Sequence, residues 1–140
     1  MNRLELKITS DPANLRDVRK QVEAFAHIGG MPLEDCDAVG LVINEALANI
    51  IRHGYHGAHD QPIMITAETD DGQLRLQIRD WAKPFDPSTL PKKETADLKP
   101  GGLGLLCMRR LMDEAEFVPL PDGMLLKLLK RSGKSANNGT

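Results

Sequence analysis

The chain has 140 residues, with 18 Lys and Arg against 20 Asp and Glu for a formal net charge of −2; 41% of its residues are apolar and 4% aromatic. That length allows one domain and leaves no room for a second, and the apolar share excludes wholesale disorder. A charge near zero argues against a chain built to neutralise phosphate backbones, so direct contact with nucleic acid is not expected.

Leu4-Glu5-Leu6-Lys7-Ile8 alternates apolar and charged residues, the period of a strand with one buried face. Asp11 can cap a helix that Pro12 starts, and Leu15, Val18, Val22, Phe25 and Ala26 recur at steps of three and four. Residues 12–28 therefore read as an amphipathic helix closed by Gly29-Gly30. A second helix runs from Pro32 to about Arg52 with apolar residues on more than one face, which makes it the most buried of the set. After a turn-rich linker, His53 to Asp60, the alternations Ile63-Ile65-Ala67 and Leu74-Leu76-Ile78 flank Asp70-Asp71-Gly72 and predict a hairpin.

Residues 81–100 carry Pro84, Pro87, Pro91 and Pro100 without periodicity, and so long a loop in a small domain points to a lid or binding loop, with residues 88–104 as its closing part. Helix returns from Leu103 or Gly104 to about Glu114. Glu116–Leu120 and Met124–Lys130 bracket Pro121-Asp122-Gly123 as a last hairpin, and the small polar tail from Ser132 to Thr140 is expected to be disordered, leaving residues 1–131 as the domain. Strand, helix, helix, hairpin, loop, helix, hairpin predicts an α+β two-layer α/β sandwich: a mixed, mostly antiparallel sheet with three helices on one face.

Cys36 and Cys107 have neither CxxC spacing nor a His at metal spacing, and both read as reduced core thiols. No run approaches the roughly 20 apolar residues that span a bilayer, and the N-terminus lacks the apolar stretch of a signal peptide, so no membrane contact and a cytoplasmic location are expected.

Three clusters ask for more than packing. Glu45 and Asn49 stand one helical turn apart on one face of the most buried helix, where an unpartnered carboxylate is expensive; a wet cleft, a metal or a hydrogen-bonded structural role would each resolve that cost. Asp80 ends a strand where the long loop begins, and an ionised Asp there can accept from an exocyclic amine such as adenine's or simply cap a turn. Gly101-Gly102-Leu103-Gly104 runs into a helix, where glycines admit close approach and the helix start favours an anion; the run is neither a P-loop nor a dinucleotide fingerprint, and flexibility alone explains many such runs.

In this order and placement the clusters resemble the N, G1 and G2 boxes of the GHKL ATPase superfamily, with its Bergerat-type ATP-binding fold. Glu45-Ala46-Leu47-Ala48-Asn49 with His53-Gly54-Tyr55, Asp80-Trp81-Ala82-Lys83-Pro84-Phe85-Asp86-Pro87, and Gly102-Leu103-Gly104-Leu105 leading to Leu111-Met112-Asp113-Glu114 look like the anti-sigma-factor serine kinases of bacterial partner-switching systems. The likeness covers residues 3 to 130. It implies ATP and Mg²⁺ as cofactors, Glu45 as the group that orients or deprotonates an attacking hydroxyl, Asn49 as the metal ligand, and Asp80 as the acceptor for the adenine amine. It further implies nucleotide contacts at His53, Ala82, Phe85, Gly102, Leu103, Gly104 and Leu105. Ala82 and Pro84 stand where the wider superfamily has G1-box glycines. Implied partners are a STAS-type anti-anti-sigma protein, a sigma factor and a second copy of the chain. No segment with a phosphoacceptor His precedes the core, so a histidine autokinase is not expected. The rival expectation is a partner-exchange module that keeps the fold without phosphotransfer.

Overall fold

The computed structural model describes residues 2–90 and 100–132, and each alternating segment of the sequence is a strand in it. In chain order the elements are β1 (Asn2–Thr9), α1 (Leu15–Ile28), α2 (Leu33–Asn49), β2 (Pro62–Asp70), β3 (Gln73–Asp80), α3 (Pro100–Leu111), β4 (Glu114–Leu120) and β5 (Gly123–Arg131). The sheet order is β1-β2-β3-β5-β4, and all four pairings are antiparallel, so the sheet is not mixed. Direct hairpins join β2 to β3 and β4 to β5, and the excursion through α3 leaves room for β5 to return beside β3.

Period two places Ile63, Ile65 and Ala67 of β2, Leu74, Leu76 and Ile78 of β3, and Leu126 and Leu128 of β5 on one face. These side chains meet Val18, Val22 and Ala26 of α1, the buried stripe of α2 and Met108 of α3 in one core. The opposite face carries Arg3, Glu5, Arg75, Gln77 and Lys127 in cross-strand register with polar neighbours. The result is a two-layer α+β sandwich with the three helices on one face.

Local chemistry sets the ends of the elements. Asp11 accepts the Ala13 N–H at 2.9 Å and Pro12 opens a short 3₁₀ turn (Pro12–Asn14) that feeds α1. Asp71 (φ 47°) and Gly72 (φ 74°) are both left-handed, the twist that a two-residue hairpin turn requires. Buried Ser10 donates to the Ala58 carbonyl at 2.5 Å and accepts from the Gln61 N–H at 3.0 Å, which pins the linker after α2 against the end of β1.

Two boundaries differ from the sequence expectation. α2 stops at Asn49, and the chain widens into a π turn over Ile50–Gly54, closed by the Tyr55 N–H on the Ile50 carbonyl at 2.8 Å. α3 begins at Pro100 and ends at Leu111, taking in the glycines rather than following them. Packing of Leu105 and Met108 overrides the low helix propensity of glycine. At its far end Lys130 Nζ donates to the Leu111 carbonyl at 2.6 Å, and Glu114 already belongs to β4.

The middle of the expected lid, residues 91–99, lies outside the described residues, as does the tail 133–140. Ser132 is buried, its N–H donating to the Gly72 carbonyl at 2.8 Å. Cys36 is a buried thiol, whereas Cys107 is only half-buried on α3; both are free. Among the described residues no helix is long and apolar enough to cross a membrane.

Candidate functional site

A cavity of about 760 Å³ opens where the end of α2, the end of β3, the start of the following loop, α3 and the β4–β5 hairpin converge. The sequence singled out Asn49, His53, Asp80, Ala82, Phe85 and Leu105, and all six line it. Glu45 does not: it is half-buried on α2, one turn before Asn49, close enough to Cys107 of α3 for its charge to disfavour the thiolate. Gly102, Leu103 and Gly104 fall within the first turns of α3. Phe117, Met124 and Leu126 of the last hairpin complete the wall, and the sequence marks them only as hairpin residues on either side of Pro121-Asp122-Gly123.

Asp80 is the polar group at the floor of this largely apolar space. It is 5% exposed, and its Oδ1 accepts the Ala82 N–H at 2.9 Å. Burial pushes its carboxyl above the ordinary Asp value, while N–H donors from Ala82 and Met124 and the Arg79 guanidinium pull the other way. A carboxylate has about four lone-pair sites, so acceptor capacity remains for a ligand that donates.

The surroundings of Asp80 are braced. Arg79 donates to the Asp80 carbonyl, pairs with Asp122 at 2.5 Å and lies 4.4 Å over the Trp81 ring. The phenol of Tyr55, raised in pKa chiefly by burial, donates to the Pro62 carbonyl at 2.6 Å and accepts the Trp81 N–H at 2.7 Å. Gly123 faces this bend so closely that an added Cβ would collide with the Asp80 carbonyl and sit 2.8 Å from the Trp81 Cα. Gly123→Ala should therefore cost about 1–3 kcal/mol of stability by overpacking, read as a lower urea midpoint at unchanged slope.

At the other wall His53 sits in the π turn, and His56, left-handed at φ 53°, also reaches the cavity. Gly54 lets the turn press on the loop: a Cβ there would stand 3.1 Å from that of Ala82. At the mouth the Phe85 and Phe117 rings meet at 5.5 Å. Asp86, whose carboxyl is held below the usual range by the backbone and side chain of Ser88, caps the 3₁₀ turn Pro87–Thr89.

Among the described residues no three His, Cys, Asp or Glu side chains gather as a metal site. Asn49 contributes one neutral amide oxygen at the cavity, a donor set that fits Mg²⁺ only where phosphates and water complete its shell.

A one-faced α+β sandwich with a cavity between its second helix and the carboxylate ending its third strand is the architecture of the GHKL ATPases. The chain belongs to the histidine kinase-like ATPase domain family, which it matches over residues 8–130. It is 26% identical to the serine-protein kinase RsbW of Bacillus velezensis over 147 residues, covering 98% of this chain and 91% of that protein. It is 28% identical to an anti-sigma F factor of Halalkalibacterium halodurans over 124 residues, 86% of this chain and 85% of that protein.

Among solved structures, the RsbU and RsbW domains of a Mycobacterium tuberculosis protein align with a TM-score of 0.65 at 20% identity, over 94% of this chain and 32% of that one. A histidine kinase domain of a blue-light activated kinase from Erythrobacter litoralis aligns with a TM-score of 0.60 at 16% identity, over 90% of this chain and 63% of that one. These two share the fold.

Proposed function

We propose that the chain is an ATP- and Mg²⁺-dependent protein serine/threonine kinase of anti-sigma-factor type, acting in the cytoplasm. In this reading it phosphorylates a STAS-class antagonist and, in its other state, holds a sigma factor, working as a homodimer. The observation that carries the nucleotide part is Asp80, a buried acceptor at the floor of a cavity whose other wall presents Asn49. The kinase and sigma-factor parts rest on the likeness to relatives bearing those names.

The adenine amine donates to Asp80 while the apolar walls, Ile50, Met108 and Leu126 among them, cover the ring faces. Bound Mg²⁺ would offset phosphate charge, and Asn49, on the cavity lining, would hold it. The substrate Ser or Thr oxygen forms the new bond to the γ-phosphorus as the bond to the β-phosphate oxygen breaks. Glu45 takes the hydroxyl proton and ADP leaves. Lys83 and His53 line the same cavity and suit the phosphates.

The second reading is a partner-exchange module without phosphotransfer, and one observation favours it: Glu45 stands off the cavity lining. Incubation with γ-labelled ATP, Mg²⁺ and a STAS-type protein encoded beside this chain separates the two. Label on a Ser or Thr of that protein is the expected result. A chain that binds a sigma factor yet transfers no label to any candidate is the module.

A further inference from the structure

We infer that Tyr55 is a positioning residue of the nucleotide site, its hydroxyl acting as an inserted rung between β2 and β3 that sets the bend holding Asp80; this rests on the reading that the cavity takes an adenine nucleotide. The β2–β3 ladder ends at the pair Ile63 and Asp80. One position further, Pro62 and Trp81 would face each other. Their carbonyl and N–H do not bond directly, because the Tyr55 hydroxyl stands between them, donating to Pro62 at 2.6 Å and accepting from Trp81 at 2.7 Å.

Insertion of one oxygen splays β3 from β2 at the residue where the chain turns back. That turn brings the Ala82 N–H onto Asp80 Oδ1 at 2.9 Å. The backbone N–H of the same residue is tied to the Ile50 carbonyl of the π turn after Asn49, and Gly54 lies against Ala82. Tyr55 thus ties the wall bearing Asn49 and His53 to the floor bearing Asp80. A hydrophobic space-filler of the same shape would not do this, since the geometry depends on a group that donates and accepts at once.

Without the hydroxyl, the Trp81 N–H and Pro62 carbonyl are left to close the ladder by one residue. Closure draws Ala82 toward β2 and releases Oδ1. Tyr55→Phe should then lower Mg-ATP affinity about tenfold, the scale of one lost buried hydrogen bond, and lower the ATP-to-GTP affinity ratio with it. Trp81 is the sole tryptophan and Tyr55 the sole tyrosine, so each is a site-specific probe.

The experiment is calorimetry of the full chain with Mg-ATP and Mg-GTP, alongside Trp81 emission, for wild type, Tyr55→Phe and Val22→Ala, a core truncation on α1 that controls for lost stability. The expected result is a reduced ratio and shifted emission in Tyr55→Phe, with neither in Val22→Ala. An unchanged ratio and emission in Tyr55→Phe overturns the inference while leaving the nucleotide reading intact. Absence of nucleotide binding by the wild type overturns both.

Should Tyr55→Phe fail to fold, 3-fluorotyrosine incorporated at this one position keeps the hydroxyl and reports by ¹⁹F resonance. A shift on adding Mg-ATP that Mg-GTP does not reproduce supports the positioning role; equal or absent shifts with wild-type ATP binding overturn it.

Discussion

Asp80→Asn should weaken ATP binding by about 1.5–3 kcal/mol, and it should do so by changing which base is preferred rather than by emptying the pocket. A carboxylate only accepts, so it matches the adenine amine and opposes the guanine carbonyl oxygen. In Asp80→Asn the amide oxygen keeps the Ala82 N–H, which turns its NH₂ toward the base and reverses that preference. The sign with pH follows from the same burial. Because the folded protein raises the Asp80 pKa, the ionised form costs stability; the contribution of the protonated form is fully present below the unfolded value and lost as pH rises through the folded one. A ligand that donates to the carboxylate competes with that proton. The ATP-to-GTP affinity ratio, in which triphosphate titration cancels, should therefore fall as pH is lowered from neutrality toward the raised Asp80 pKa, and should be low and flat for Asp80→Asn. Calorimetry across that range that finds equal ratios in both proteins removes adenine recognition from Asp80.

Much of this site is legible in the sequence, and the parts that are not share a physical origin. Period-two alternation marks the first three strands, and the turn Pro121-Asp122-Gly123 marks the last two, because these are short-range preferences. Asn49, Asp80 and the glycine run stood out because a polar or flexible residue in an apolar context demands a reason. The π turn is not legible in the sequence: Ile50-Ile51-Arg52 continues the helical pattern and His53-Gly54 reads as the start of a linker, whereas the structure winds Ile50–Gly54 as one wider turn lying against Ala82. The start of α3 at Pro100 is not legible because propensity places glycines outside helices, whereas α3 takes them in ahead of the buried Leu105 and Met108. Tyr55 stands out in the sequence only as part of the His53-Gly54-Tyr55 motif. Its two hydroxyl partners lie seven and 26 residues away, a separation at which pattern reading carries no information.

Glu45→Gln and Asn49→Ala, on one face of α2 and one turn apart, should fail in different ways. Glu45→Gln keeps the volume and the half-buried position but removes the base. It should bind Mg-ATP and both protein partners as the wild type does, while transfer to the antagonist falls by the ~10²- to 10⁴-fold typical of a lost general base. Because Glu45 is not among the residues lining the cavity, its substitution should leave nucleotide binding in place, so that transfer alone reports whether it acts on the hydroxyl proton. Asn49→Ala removes the one amide side chain among the described residues lining the cavity, so the Mg²⁺-dependent part of ATP affinity should vanish together with transfer, leaving the weaker metal-independent binding. Single-turnover transfer assays paired with calorimetry in the presence and absence of Mg²⁺ read both effects. Wild-type transfer rates in Glu45→Gln would take the catalytic role from that residue, and unchanged Mg²⁺ dependence in Asn49→Ala would take the metal from the other. If wild-type transfer is itself absent while a sigma factor still binds, Asn49→Ala should change how Mg-ATP alters sigma-factor binding and Glu45→Gln should not, and the chain then serves nucleotide-controlled partner exchange rather than chemistry.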